Sequence, residues 1–265
     1  MTRLDMELVR RGIAQSRERA KEYISEGMVT VNGTAVKKPS ADVSDSDDIA
    51  MIGEVLKYVG RGGLKLERAI ADFFIDLTDR VCLDIGASTG GFTDCMLQFG
   101  AKKVYAVDVG HDQLADKLRN DPRVVNIEGV NVKDFTADLL NEPIDFVCAD
   151  LSFISVRYAA DAARQILPVG GDAVLLIKPQ FEAGKKNISK GGIVKDIKVH
   201  IEVLKSLCEY FCSICLQVKG LIPSPIKGGD GNTEYLIHLV KQDSFTRCNI
   251  DFKGICGRAL RSLKG

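Results

Sequence analysis

The sequence predicts an α/β protein in two parts: a small α+β segment, then a larger sheet of strands alternating with helices. Three observations carry this expectation. Two short amphipathic helical patterns at the start run into VTVNGTAV, whose Asn32-Gly33 pair between alternating β-formers is a strong hairpin signal. From Asp79 onward, six short apolar β runs alternate with helical patterns. Between the two parts, Gly60, Gly62 and Gly63 interrupt regular structure. A chain of 265 residues with 45% hydrophobic content can bury one full core and a second small one. The expected boundaries are residues 1–57, a linker over 58–63, and a second domain over 64–265.

In the first part, Leu4, Leu8, Val9 and Ile13 form an apolar helix face, and Gly12 stops that helix. Ser16 caps a second helix, whose apolar residues are Ala20, Tyr23 and Ile24. Net charge over the whole chain is zero, so bulk charge says nothing for a polyanionic partner. Its distribution says more, because residues 1–38 hold eight Arg or Lys against five Asp or Glu. Arg3, Arg10, Arg11, Arg17, Arg19 and Lys21 lie on the helical stretch, Lys37 and Lys38 leave the hairpin, and Arg61 sits in the linker. Taken alone, this cluster is better explained as a solvated helix face. The acidic stretch that follows (Asp42, Asp45, Asp47, Asp48, Glu54) is expected on the far side of the hairpin.

In the second part the strands are VCLDI, KVYAVD, RVVNIE, DFVCA, AVLLI and YLIHLV, with helices through TDCMLQ, DQLADKLR, YAADAARQIL and IKVHIEVLKSLCEYF. Apolar runs without alternation suit strands covered on both faces, hence a parallel sheet flanked by helices, a Rossmann-like arrangement. Such sheets bind ligands at the carboxyl ends of their strands, near the point where strand order reverses. The eight cysteines sit mostly among apolar neighbours and read as reduced core thiols. Cys208, Cys212 and Cys215 would share one helix face, but the apolar segment around them favours packing, and no metal is expected. No stretch approaches the roughly 20 apolar residues that span a bilayer, and the charged start does not suit a signal peptide. A cytoplasmic protein without membrane contact is expected.

The most specific local feature is Asp84-Ile85-Gly86-Ala87-Ser88-Thr89-Gly90-Gly91-Phe92, where a strand ends and a helix opens. Glycines there let the backbone approach a ligand closely, although a tight structural turn would need them too. The spacing is G-x-x-x-G rather than G-x-G-x-x-G, and Asp108 ends the next strand. An acidic group there suits a ribose diol, and the looser glycines suit a cofactor lacking a pyrophosphate. That favours S-adenosylmethionine over a dinucleotide. On this reading a branched side chain at Gly90 would fill the space that the cofactor needs.

The stretch RLDMELVRRGIAQSRERAKEYISEGMVTVNG resembles the S4 RNA-binding domain over residues 2–50, which implies that the basic residues named above contact the phosphates of a structured RNA. DIGASTGGFTD, ADLSFISV, LLIKPQFEAGK, KGGIVKD and SPIKGGDGNTEYL resemble the TlyA (haemolysin A) family, related to the FtsJ-like ribose methyltransferases. The resemblance implies methyl transfer from S-adenosylmethionine to a cytidine ribose 2′-hydroxyl in ribosomal RNA, with ribosomal RNA or a ribosomal subunit as partner. It also implies a Lys-Asp-Lys-Glu tetrad, matched here by Lys65, Asp150, Lys178 and Glu234. Taken singly, each would pass for a plain surface or cap charge. Asp150 and Lys178 nevertheless follow apolar strands, where sites form, and a lysine crowded by a second lysine gives up its proton more readily. Lys178 is therefore expected to receive or steer the hydroxyl proton, Asp150 and Glu234 to orient the lysines, and Lys65 to hold the ribose or its phosphate. Asp84, Gly86 through Phe92, Asp108, Asn131 and Asp150 are the expected cofactor contacts. The segment Ile127-Glu128-Gly129-Val130-Asn131-Val132-Lys133 keeps the family's Asn but lacks its flanking Arg and Thr, which leaves Glu128 without an assigned role.

Three other readings compete. An RNA-binding assembly factor without activity would need a decayed site, but the tetrad and glycine loop are intact. A membrane-lysing protein would need a long apolar or basic amphipathic segment, which is absent from the sequence. A base methyltransferase would show an Asn-Pro-Pro-Tyr-like loop where Asp-Leu-Ser-Phe stands. The start of the chain carries no basic extension before the S4-like pattern, which points to modification of the large subunit alone.

Overall fold

The computed structural model describes residues 2–14, 16–25, 27–52, 57–229, 231–245 and 247–261; Glu54 of the acidic stretch lies outside them. The chain divides into two compact units, Met1–Val55 and Leu56–Gly265.

In the first unit, β1 (Thr2–Arg3) leads into α1 (Leu4–Arg10) and α2 (Arg17–Ser25). Gly12 takes φ +69° just past α1, and Ser16 Oγ accepts the Arg19 amide at 3.2 Å, so both helix ends obey their local residues. Leu4, Leu8, Ala20 and Ile24 are fully buried between the helices and a small sheet. That sheet has β2 (Val29–Val31) between β3 (Thr34–Ala35) and β5 (Ile49–Met51), while β4 (Asp42–Val43) pairs with β1. Asn32 and Gly33 both adopt positive φ, as a two-residue hairpin turn requires.

The acidic stretch does not lie apart from the basic helix. Asp45 meets Arg10 at 2.5 Å, and Arg11 donates to the carbonyls of Ser44, Asp45 and Asp47. These contacts add to the bonds that Asn32 and the Ser44 amide already make to the turn at 44–48.

In the second unit, α3 (Gly62–Phe73) precedes β6 (Val81–Ile85), α4 (Gly91–Gln98), β7 (Lys103–Asp108), α5 (Asp116–Arg119) and β8 (Val124–Glu128). Then come β9 (Phe146–Ala149), α6 (Arg157–Ile166), β10 (Asp172–Ile177), α7 (Pro179–Glu182), α8 (Ile197–Ser213), β11 (Leu216–Pro223), β12 (Tyr235–Lys241) and α9 (Phe252–Arg261). The seven-stranded sheet has the order β11-β12-β10-β9-β6-β7-β8. All five residues of β6 are buried, as expected for a central strand covered on both faces. Cys208 and Cys212 pack into the core from α8, whereas Cys215 lies beyond the helix at φ +62°. No helix among the described residues is long and apolar enough to cross a membrane.

Three expectations need correction. First, the sheet is not wholly parallel: β12 runs antiparallel to both β10 and β11. A short return between neighbouring strands reverses direction, while a parallel neighbour would need a crossover. Second, LQVKGLIP forms the edge strand β11, which the sequence pattern does not announce because Gly220 interrupts it and a bulge follows Val218. Third, residues 58–63 are not a free linker. Tyr58 is 2% exposed, and a Cβ on Gly63 would stand 2.3 Å from its ring. A Cβ on Gly91, at the start of α4, would stand 3.0 Å from the Gly63 amide nitrogen and 3.1 Å from the Gly60 carbonyl oxygen. These glycines permit close packing rather than bending.

Gly63→Ala is therefore expected to lower stability by about 1–3 kcal/mol through overpacking against Tyr58. Thermal melting of the full chain should show a fall of several degrees. An unchanged midpoint would mean that Tyr58 has room to move.

Candidate active site

The antiparallel strand decides where the charges meet. Asp150 follows β9, Lys178 follows β10, and Glu234 precedes β12, whose first residue Tyr235 pairs with Ile177 at the end of β10. Reversal of β12 thus brings its beginning to the edge where the parallel strands end. The Asp150 amide donates to the Ile85 carbonyl at 3.1 Å, which extends the β6–β9 ladder to the glycine loop. Between β6 and β9 the strand order turns back, so this is the crevice where open α/β sheets place ligands. Lys65 enters from the first turns of α3.

The four charges form a chain. Lys65 Nζ lies 2.7 Å from Glu234 Oε2 and 3.4 Å from Asp150 Oδ2; Lys178 Nζ lies 2.6 Å from Asp150 Oδ1 and 2.8 Å from Ser152 Oγ. Glu234 is 2% exposed, and a Cβ on Gly228 would fall 2.4 Å from its Oε1, so that glycine makes room for the carboxylate. Burial pushes the Glu234 carboxyl above its ordinary range, and Lys65 opposes that rise. Asp150 Oδ1 and Glu234 Oε2 are buried and ion-paired but receive no well-directed hydrogen bond, so the lysines are what balance them. Removing one member of such a buried pair would strand its partner, at a cost of about 3–5 kcal/mol.

Beside the tetrad, the loop after β6 turns through Gly86 (φ +83°), Ser88 (φ +49°) and Gly90 (φ +95°). A Cβ on Gly86 would lie 2.7 Å from the Asp150 carbonyl oxygen, so this glycine lets the loop after β6 touch the loop after β9. Gly90 plays another part than expected. A side chain there would strike Leu118 at 2.2 Å and Leu114 at 2.8 Å, so it is protein, not a ligand, that demands a glycine. Ala87 and Phe92 are buried, with Phe92 in the core against Gly62, while Ser88 and Thr89 remain exposed.

The acidic residues divide by burial. Asp84 is fully buried and accepts from Thr93 Oγ1 at 2.7 Å and from Cys148 Sγ at 3.6 Å, so its carboxyl group braces the loop from below. Asp108 accepts the Ser88 amide at 2.8 Å and the Gly110 amide at 2.7 Å, which ties the ends of β6 and β7 together at the crevice. Glu128 accepts the amides of Asp112, Gln113 and Leu114, which gives it a plain role as the brace of that loop. Asn131 caps the turn after β8 by accepting the Lys133 amide at 3.0 Å.

Two residues escaped sequence reading. Phe153 is 87% exposed at φ +67°, and its ring centroid lies 5.2 Å from that of Phe181 in α7. Glu182 accepts from Ser155 Oγ at 2.8 Å and from the Val156 amide at 2.7 Å, latching the loop after Asp150 to the helix after Lys178. An aromatic three residues past a strand-end Asp was the only available signal for Phe153. Nothing local marks Glu182, because its partners lie 26 and 27 residues away.

In the first unit, several of the expected RNA contacts have partners of their own. Arg3 and Arg17 pair with the buried Asp5, and Arg10 and Arg11 with the buried Glu7. The two arginines beside it hold the Glu7 carboxyl down to about 2. Arg19 stacks on Tyr23, whereas Lys21, Lys37 and Lys38 are exposed, and Arg61 is half-buried in the second unit.

Burial pushes the Asp84 carboxyl up to about 7 from an ordinary value of 3.8. The folded state therefore favours the protonated form. The stability this contributes is complete below about pH 4 and is lost as pH rises through 7. Asp84→Asn should flatten the stability profile across that window, as followed by thermal melting from pH 4 to pH 8. A mutant profile that keeps the wild-type slope would place the titration elsewhere.

The model of the FtsJ-like methyltransferases matches residues 58–241, and that of the S4 domain matches residues 2–49. The Bacillus subtilis protein YqxC, which carries a provisional rRNA methyltransferase name, is 48% identical over 89% of this chain and 85% of its own length. The 16S/23S rRNA (cytidine-2′-O)-methyltransferase TlyA of Mycobacterium tuberculosis is 41% identical over 91% of this chain and 90% of its own. A Streptococcus thermophilus protein solved under a hemolysin name superposes with a TM-score of 0.81 at 42% identity, covering 99% of this chain and 96% of that one. With a tetrad assembled at the switch point of its sheet and likeness running the length of the chain, the protein belongs to the FtsJ-like methyltransferases, in the TlyA family that joins them to an S4 domain.

Proposed function

We propose that this chain transfers a methyl group from S-adenosylmethionine to the 2′-hydroxyl of a cytidine ribose in ribosomal RNA. The observation that carries this reading is the convergence of Lys65, Asp150, Lys178 and Glu234 beside the Gly86–Gly91 loop. The substrate follows the activity for which the Mycobacterium tuberculosis relative is named.

The crevice suits the cofactor's charge. Around it stand Asp108, Asp150 and open loop backbone, an acceptor-rich set fitting a ribose diol and a cationic sulfonium better than a pyrophosphate. Gly86, Ala87, Ser88, Thr89, Gly90 and Gly91 would cradle it through their backbone, with Asp108 toward the ribose and Asn131 at the rim. Asp84 and Phe92 support that loop from beneath. The bound cofactor supplies a methyl group already activated on sulfur.

The chain then has to place one oxygen. Lys178, held by Asp150 and Ser152, donates to the ribose 2′-oxygen and aims its lone pair at the methyl group. The hydroxyl proton leaves to the Lys178–Asp150 pair as the new C–O bond makes that oxygen acidic. Lys65, fixed between Glu234 and Asp150, keeps the carboxylates apart and faces the ribose or adjoining phosphate. The exposed Phe153 ring offers a stacking surface for an unstacked base. In the S4 unit, Lys21, Lys37 and Lys38 take the phosphates, while Arg3, Arg10, Arg11 and Arg17 chiefly hold their own fold.

Lys178→Ala should lower methyl transfer to ribosomal RNA by roughly 10²–10⁴-fold. Cofactor affinity by calorimetry should stay within about twofold, because that residue faces the hydroxyl. Near wild-type turnover would remove the tetrad from the mechanism, and a wild-type chain that methylates no ribosomal RNA would remove the reaction itself.

A further inference from the structure

Between Gly184 and Lys198 the chain carries five lysines, Lys185, Lys186, Lys190, Lys195 and Lys198, against a single acidic residue, Asp196. All five are exposed, and none has an ion-pair partner among the described residues. Asp196 is already engaged, accepting the Lys198 amide at 2.8 Å as the cap of α8. The arrangement is the opposite of that in the first unit, where Asp5, Glu7 and Asp45 answer the arginines.

This lysine loop is fixed to the tetrad at both ends. Its start follows α7, the helix that Lys178 opens. Its far end is stapled by Asn232, two residues before Glu234 and 1% exposed. The Asn232 Oδ1 accepts the Val194 amide at 3.2 Å, and its Nδ2 donates to the Gly192 carbonyl at 3.0 Å. The buried His200 adds a second tie, joining the Val194 carbonyl at 2.9 Å to the Tyr235 hydroxyl at 2.9 Å. An open hollow of about 360 Å³ lies between Lys186, Ser189 and Lys195.

We infer that the lysine loop at 185–198 is a second RNA-gripping surface, which binds the phosphodiester backbone beside the target nucleotide and is aligned with the tetrad by Asn232. Cations crowded along one short loop repel one another, and a polyanion relieves that repulsion with release of its counterions. Ammonium groups on flexible stems suit phosphates as point charges, without reading sequence. The division follows: the S4 unit supplies a grip of its own, and this loop seats the strand at the site. The inference rests on the proposed RNA reaction.

The test is the full chain with Lys185, Lys186, Lys190 and Lys195 replaced together by Ala, beside a version with all four replaced by Arg. Both would be assayed with a ribosomal RNA transcript across a salt series, with melting and cofactor calorimetry as controls. The Ala variant should lose at least about tenfold in RNA affinity, and its log–log salt slope should flatten by roughly 0.7–0.9 for each phosphate no longer neutralised. Its KM for RNA should rise while kcat at saturating RNA and cofactor affinity hold; the Arg variant should retain binding. RNA affinity and salt slope equal to wild type would overturn the inference. So would a fall in melting temperature or cofactor affinity that accounts for the weaker binding, since the loop would then serve the fold or the cofactor. Failure of the wild-type chain to methylate the transcript, with the binding results as expected, would sink the reaction and leave the grip standing.

Discussion

Everything at the site depends on one chain of charges, Glu234–Lys65–Asp150–Lys178, drawn from four separate parts of the sequence. Two carboxylates and two ammonium groups balance, so the cluster can sit half out of water without a net charge to solvate. The balance is also brittle, because each member is the counterion of another. The surrounding backbone shows the consequence: a glycine stands wherever a side chain would push on a charged residue or its loop, at Gly86 beside Asp150 and at Gly228 beside Glu234.

The sheet makes that chain possible through a single reversal. Five parallel strands deliver the glycine loop, Asp108, Asp150 and Lys178 to one edge. A sixth parallel strand would have begun at the opposite edge and carried Glu234 away. Because β12 runs against β10, with Tyr235 opposite Ile177, Glu234 arrives beside Lys65. The same return places Asn232 where it can hold the loop at 192–194. Local latches do the rest, with Glu182 joining the loops that bear Asp150 and Lys178.

Electrostatics separates the two units by purpose. In the S4 unit, cations near buried carboxylates are part of the core arrangement, and pairing holds Asp5 and Glu7 down to about 2. Such arginines have already spent much of their field inside the unit. Exposed lysines with no ion pair among the described residues keep theirs for a partner, both at Lys37 and Lys38 and on the loop at 185–198. Counting basic residues along the sequence therefore overstates some contacts and misses others.

The sequence by itself determined what depends on near neighbours in the chain. The Ser16 cap, the Gly12 stop, the Asn32-Gly33 turn, the buried run of β6 and the glycine loop after it are all legible, since each follows from residues a few positions apart. Lys65, Asp150, Lys178 and Glu234 were legible through the motifs around them, although their spacing spans 169 residues and no local rule joins them. Only the tertiary structure decided the rest. It reversed β12, turned the glycine-rich 58–63 segment from a linker into packed core, showed Gly90 yielding to Leu114 and Leu118, and set Arg10 and Arg11 against the acidic turn. The physical reason is common to all four. Each depends on which distant atoms come to occupy the same few cubic ångströms, and strand direction, close packing and ion pairing are fixed only once the whole core has chosen its neighbours.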